Sequence, residues 1–130
     1  GLEDLPIHAI HVDEGGKGIT VERNIAVFSI PSVLDKNMAL KGKHVLHGYT
    51  SANESWEIWE NLNSKELEYR NLKEERCLIF FKAVRKFIFD IDERIDLKML
   101  GSLITHKKLT NIYCGSYGFA LSAAKGLFLG

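Results

Sequence analysis

The chain has 130 residues, 45% hydrophobic and 26% charged, which is length and apolar content enough for one core. Lys and Arg total 17 against 17 Asp and Glu, so no bulk field draws the chain toward nucleic acid or an anionic membrane surface. Apolar runs such as Leu78-Ile79-Phe80-Phe81 are too short to cross a bilayer, and two cysteines exclude a disulfide framework.

Residues 7–13 and 24–30 read as strands, joined by turn chemistry at Asp13-Glu14-Gly15-Gly16-Lys17-Gly18 that suits an antiparallel pair. Pro31 ends the second strand, because proline has no N–H for the ladder. Residues 32–42 form a connecting loop, and residues 43–50 read as a third strand.

Ser51-Ala52-Asn53-Glu54 matches a capping box ahead of a short helix bearing Trp56, Trp59 and Leu62. Asn63-Ser64-Lys65-Glu66 repeats a start signal before a longer helix. Its apolar stripe runs through Tyr69, Leu72, Ile79, Phe80, Ala83, Val84, Phe87 and Ile88 at near-helical period. Glu66 with Arg70, and Arg70 with Glu74, are spaced as i,i+4 pairs on the exposed side. Asp90 to Glu93 marks the exit. Residues 95–100, Ile-Asp-Leu-Lys-Met-Leu, alternate with period two and predict a half-buried strand. Leu103 to Leu109 suits a helical turn, Asn111 to Gly118 a loop, and residues 119–125 either helix or loop. The expected class is α+β, a mainly antiparallel sheet covered by helices: residues 1–50 β-rich, 51–94 helical, 95–130 strand and loop.

Chemical motifs are sparse. His8 with His11, and His44 with His47, have a spacing that places ligands on opposite faces of a strand, so no metal site is expected. Cys77 lies among the apolar residues of the long helix, and Cys114 has no nucleophile motif around it. Neither Gly15-Gly16-Lys17-Gly18 nor Lys41-Gly42-Lys43-His44 runs from strand into helix as a phosphate loop does, and no Gly-x-Gly-x-x-Gly occurs. The large aromatics, Trp56, Trp59, Tyr69, Phe80, Phe81 and Phe87, read as core. Asn53-Glu54-Ser55 is formally a glycosylation sequon at a helix start.

Five stretches in order carry a family resemblance. They are residues 24–34 (Asn-Ile-Ala-Val-Phe-Ser-Ile-Pro-Ser-Val-Leu), 42–50 (Gly-Lys-His-Val-Leu-His-Gly-Tyr-Thr), 56–60 (Trp-Glu-Ile-Trp-Glu), 68–76 (Glu-Tyr-Arg-Asn-Leu-Lys-Glu-Glu-Arg), and Thr105-His106 followed by Gly115-Ser116-Tyr117-Gly118. Over nearly the whole chain they resemble the C-terminal half of carotenoid isomerase and phytoene desaturase-like flavoproteins, of plastid and cyanobacterial type. The resemblance implies an amine-oxidase-like architecture, with residues 1–130 a fragment of the substrate domain returning toward the flavin.

FAD would belong to the full-length parent, with none bound by this stretch alone. Gly101, Thr105 and His106, then Gly115, Tyr117 and Gly118, fall on runs that approach cofactor and substrate in the family. They would bind the cofactor or line the polyene channel; alternatively the glycines shape a turn and His106 caps a short helix. The implied activity is cis–trans isomerisation or desaturation of a carotenoid-like polyene, with plastid or cyanobacterial location and peripheral membrane association of the parent. Where the family carries proline this chain has Leu103, Phe119 and Leu129. The chain begins Gly1-Leu2-Glu3-Asp4 and ends Gly126-Leu127-Phe128-Leu129-Gly130, so both ends are expected to be internal to a longer protein. Two alternatives stand beside the enzyme: a non-catalytic module binding an apolar ligand or a protein, and an inactive remnant of the family.

Overall fold

The computed structural model describes residues 5–51, 54–63 and 65–115. Three strands, β1 (His8–Val12), β2 (Ile25–Ser29) and β3 (His47–Thr50), form an antiparallel sheet in the order β1-β2-β3. The period-two pattern sends Ala9, His11, Ala26 and Phe28 inward. The register sets the outward residues in cross-strand rows: His8–Ser29–His47, Ile10–Val27–Tyr49, and the pair Val12–Ile25.

The β1–β2 connection is held by buried Asn24. Its amide donates to the Glu14 and Gly18 carbonyls at 3.1 and 2.8 Å, while its Oδ1 accepts from the Glu14 amide at 2.9 Å. Pro31 stops β2 as the sequence requires and opens a 3-10 turn, Pro31–Val33, with a second at Lys36–Met38. β3 starts four residues later than residue 43, because the Val45 amide is spent on the Ser32 hydroxyl at 3.0 Å rather than on a ladder.

The long helix α2 (Leu67–Arg85) lies across the inward face of the sheet. Its predicted stripe buries Tyr69, Ile79, Ala83 and Val84 and half-buries Leu72 and Phe80. Phe87 and Ile88 fall in the turn beyond the helix end; Ile88 is buried, and Phe87 meets the Phe28 ring edge-on at 5.2 Å. The main core joins Ala9, Phe28, Ile30, Val84, Ile88 and Ile91, and a smaller one beside it joins Ala26, Ile79 and Ala83. Complete burial of a side chain such as Phe28, Ile30 or Val84 stabilises the fold by roughly 1.5–3 kcal/mol. The short helices are α1 (Glu57–Glu60), α3 (Ile91–Arg94) and α4 (Leu103–Thr110).

Several expectations are corrected. Residues 95–100 are not a strand: Leu97 and Met99 are 78% and 84% exposed, Ile95 rests on the main core, and Lys98 reaches Glu74 of α2 at 2.6 Å. Alternation supplies a face but not a ladder partner, and that ion pair holds the segment beside the helix instead. Glu74 therefore pairs with Lys98 and not Arg70.

The capping box is not made. Glu54 accepts from the Trp59 indole at 3.0 Å and pairs with Arg76, leaving the buried Ser51 hydroxyl without a partner among the described residues. α2 starts at an uncapped Glu66, although Asn63 does form a local turn, its Oδ1 accepting from the Lys65 amide at 3.1 Å. Asn53, Ser64, the segment 119–125, Tyr117 and Gly118 lie outside the described residues.

Two measurements test this packing. A Cβ at Gly48 would collide with the Phe80 ring and the Val27 carbonyl, and the carbonyl belongs to the ladder. Gly48→Ala is expected to cost about 1–3 kcal/mol in denaturant unfolding. Separately, Arg85 donates two hydrogen bonds to Asp92, at 2.6 and 2.9 Å, and holds that carboxyl below its ordinary value. Lys82 does the same to Asp13 and Arg94 to Asp90. Because the folded pKa is the lower one, this stabilisation is present above the unfolded value and is lost as pH falls through the folded value. A stability–pH profile should decline below about pH 4, and Asp92→Asn should make that decline shallower.

Candidate functional site

The described members of the predicted site gather around α4. Ser102, in extended conformation, caps the helix, its Oγ accepting from the Thr105 amide at 3.4 Å. The helix ends at Asn111, a left-handed C-cap whose amide donates to the Lys107 carbonyl. Ile104 packs with Trp59 and Tyr69 in a third apolar cluster, distinct from the two on the sheet. Trp59 and Tyr69 meet edge-to-face with centroids 6.0 Å apart.

Polar groups close over this cluster. The Tyr69 hydroxyl lies 2.9 Å from Ser102 Oγ and 3.1 Å from Thr105 Oγ1, a three-hydroxyl knot joining α2 to the start of α4. Burial pushes the Tyr69 phenol up, but the Ser102 and Thr105 hydrogen bonds and the Lys73 ammonium outweigh it. Its pKa lies below the ordinary phenol value. Lys73 stands 4.9 Å over the same ring, and Lys107 stands 4.8 Å over the Trp56 ring. On the far side, Glu54 links the Trp59 indole to Arg76, with a 3.2 Å contact to the guanidinium. Burial raises the Glu54 carboxyl above its usual range despite Arg76. Between α1 and α2 runs a solvent-open groove of about 600 Å3, lined by Ile58, Leu62, Leu67 and Leu72 with Glu68, Glu75 and Arg76 at its edges.

Thr105 is thus a structural hydroxyl of the knot. Gly101 is exposed, and a Cβ there would lie 3.8 Å from His106 Nε2, an ordinary contact. Gly115 is a required glycine, with φ of +67° and its Cβ position filled by the Leu103 carbonyl. Tyr117 and Gly118 lie outside the described residues, so four of the six predicted positions can be placed: Gly101, Thr105 and His106 at the start of α4 and Gly115 just beyond its end.

The knot's third member, Tyr69, was legible only as core; the signal for more was a phenol hydroxyl on a buried stripe, which needs a partner. The Glu54–Arg76 link had no sequence signal, since its partners are on different elements.

None of the described glycine turns fits a flavin diphosphate. Gly15 to Gly18 joins two strands, the Gly115 space holds backbone, and the start of α4 is taken by Ser102. No three His, Cys, Asp or Glu among the described residues gather to hold a metal ion. His8 and His11 face opposite sides of β1; His11 is buried with Nε2 3.5 Å from Asp13, and His44 Nδ1 sits 3.2 Å from the Ser32 hydroxyl. Cys77 is a packed thiol with its pKa raised by burial. The corner offers hydrogen bonding and shape.

Tyr69→Phe tests the knot. It removes the phenol from both hydroxyls, leaving Ser102 Oγ only the Thr105 amide and hydroxyl, each at 3.4 Å, and is expected to lower stability by about 1–2 kcal/mol in urea unfolding, with Tyr113→Phe, at an exposed position, near neutral.

Among curated proteins, the chain is 29% identical over 116 residues to the chloroplastic prolycopene isomerase of Arabidopsis thaliana. It is 28% identical over 116 residues to that of Daucus carota, and 33% over 117 residues to prolycopene isomerase 2 of an Oncidium hybrid cultivar. Each alignment takes in 88% of this chain but only 19%, 18% and 19% of the relative, respectively. The chain therefore spans about a fifth of the length of the curated relatives it matches. No family model and no solved structure matches it.

Proposed function

From a stretch that is carotenoid isomerase-like in sequence, we propose that this chain is part of a plastid oxidoreductase or isomerase acting on carotenoid-like polyenes. The observation that carries the reading is the match to prolycopene isomerases along 88% of the chain at 28–33% identity. In the longer protein, FAD would be held outside these residues and would supply the electron chemistry by which a polyene is isomerised or desaturated. This chain would contribute part of an amine-oxidase-like substrate domain. The apolar groove between α1 and α2 would face hydrocarbon, the α4 corner would fix the approach of the loop after Gly115, and His106 would donate a hydrogen bond toward cofactor or substrate. Peripheral membrane association would give the protein access to a lipid-soluble polyene.

A second reading, a non-catalytic binding module, is favoured by the apolar groove between α1 and α2, which these residues line by themselves. The two separate in one assay. The full-length protein is incubated with prolycopene, the isomer distribution is followed by chromatography, and flavin absorbance is recorded on the same sample. The enzyme reading expects bound flavin and a changing isomer ratio, with His106→Ala lowering the rate by up to about tenfold, the worth of one hydrogen bond. Polyene binding seen as tryptophan quenching, with no flavin and no change in isomers, would leave the module.

A further inference from the structure

Among the described residues, the sheet is covered on one side only. α2 lies on the face that carries Ala26 and Phe28, while the three outward rows are bare. Ile10 is 70% and Tyr49 60% exposed, at the two ends of the central row with Val27 between them. The eight outward positions include no Asp, Glu, Lys or Arg, in a chain that is 26% charged. A sheet face meant for water alternates apolar-in with polar-out, and its strands are commonly blunted by charge. Here β1 and β2 carry apolar residues on both sides, Ala9, Ala26 and Phe28 inward and Ile10, Val12, Ile25 and Val27 outward, as strands do when both faces are packed.

We propose that this face is an internal packing surface, covered in the complete protein by a layer of the same polypeptide drawn from outside the described residues. The inference rests on the reading of the chain as a stretch of a longer carotenoid isomerase-like protein, in which about four-fifths of a relative's length lies beyond the matched part. The chemistry of the face selects the occupant. The Ile10–Val27–Tyr49 and Val12–Ile25 rows call for an uncharged apolar layer. The His8–Ser29–His47 row, with a depression of about 250 Å3 beside it, calls for hydrogen-bonding groups within the same layer. A polypeptide layer supplies both, whereas a hydrocarbon supplies only the first. The face is also about 10 Å across, three strands wide, which suits a helix or second sheet better than a single polyene chain. The sheet then becomes the middle of three layers, between α2 and the covering segment.

Hydroxyl-radical footprinting of the unmodified full-length protein tests this, reading Tyr49 by peptide mass spectrometry against the same peptide in urea. Protection of at least tenfold, unchanged by dilution and present without polyene, is the expected result. Oxidation near the unfolded rate overturns the proposal. Protection lost on dilution overturns it in favour of a second copy, and protection that appears only with added prolycopene overturns it in favour of the substrate. Thiol labelling of Ile10→Cys against Leu40→Cys provides a second readout, expected to be at least tenfold slower at position 10. Isomerisation measured on the same sample keeps the two ideas apart. Turnover with an unprotected Tyr49 sinks the packing surface alone, and a protected Tyr49 without turnover sinks the polyene reading alone.

Discussion

The close approach of α2 to the sheet is the constraint on which the other contacts depend. Ala26 on β2 and Ala83 on α2 are both fully buried, and Gly48 on β3 has no room for a methyl against the Phe80 ring. Small residues on both surfaces let helix and sheet meet at short range, and the large side chains then fill the margins: Phe28, Ile30, Val84 and Ile88 toward one end. Larger residues at those three positions would lift the helix and leave voids beneath its neighbours, which interiors do not tolerate well.

α2 is longer than the sheet needs, and its first half does separate work. Ile79 to Arg85 serve the sheet, whereas Tyr69 and Leu72 serve a cluster with Trp59 and Ile104. Between the two lies Arg76, contacting Glu22 at 2.8 Å and Glu54 at 3.2 Å. Arg23 with Glu75, and Lys82 with Asp13, tie the rest of the β1–β2 connection to the same helix. Exposed pairs of this kind are weakened by solvent, so they set the register of the hairpin on the helix more than they hold it there. The helix thus couples the sheet to the α4 corner through one rigid rod.

What the sequence made legible follows from this division. β1, β2 and α2 were readable because their periods of two and near 3.6 residues report burial directly, and Pro31 carries its stop signal locally. The failures are all cases where a distant partner outbid a local rule. Ser51 and Glu54 spell a capping box, yet Glu54 is taken by an indole and a guanidinium, the second supplied 22 residues later. Ile95 to Leu100 spell a strand, yet the described residues offer no edge there and Lys98 binds Glu74. At the site, Thr105 and His106 were singled out by resemblance, but the phenol that engages Thr105 comes from 36 residues away. Periodicity can mark Tyr69 as buried; it cannot say which hydroxyl it meets.

The departures from the family pattern can be weighed on the same physical footing. Leu103, where the family carries proline, is the first residue of α4, directly after the Ser102 cap. Proline suits that position because its fixed φ is already helical and the N–H it lacks has no intrahelical acceptor. Leucine there keeps the helix start and gives up only the preorganisation, worth about 0.4–1 kcal/mol through the unfolded chain. Ser102 caps the helix with leucine following it. The turn at Gly115, which packs on the Leu103 carbonyl, needs the backbone of residue 103 and not its side chain. The corner therefore keeps its geometry through the substitution, and a proline-to-leucine change at its entrance does not by itself separate this chain from the catalytic members of the family it resembles.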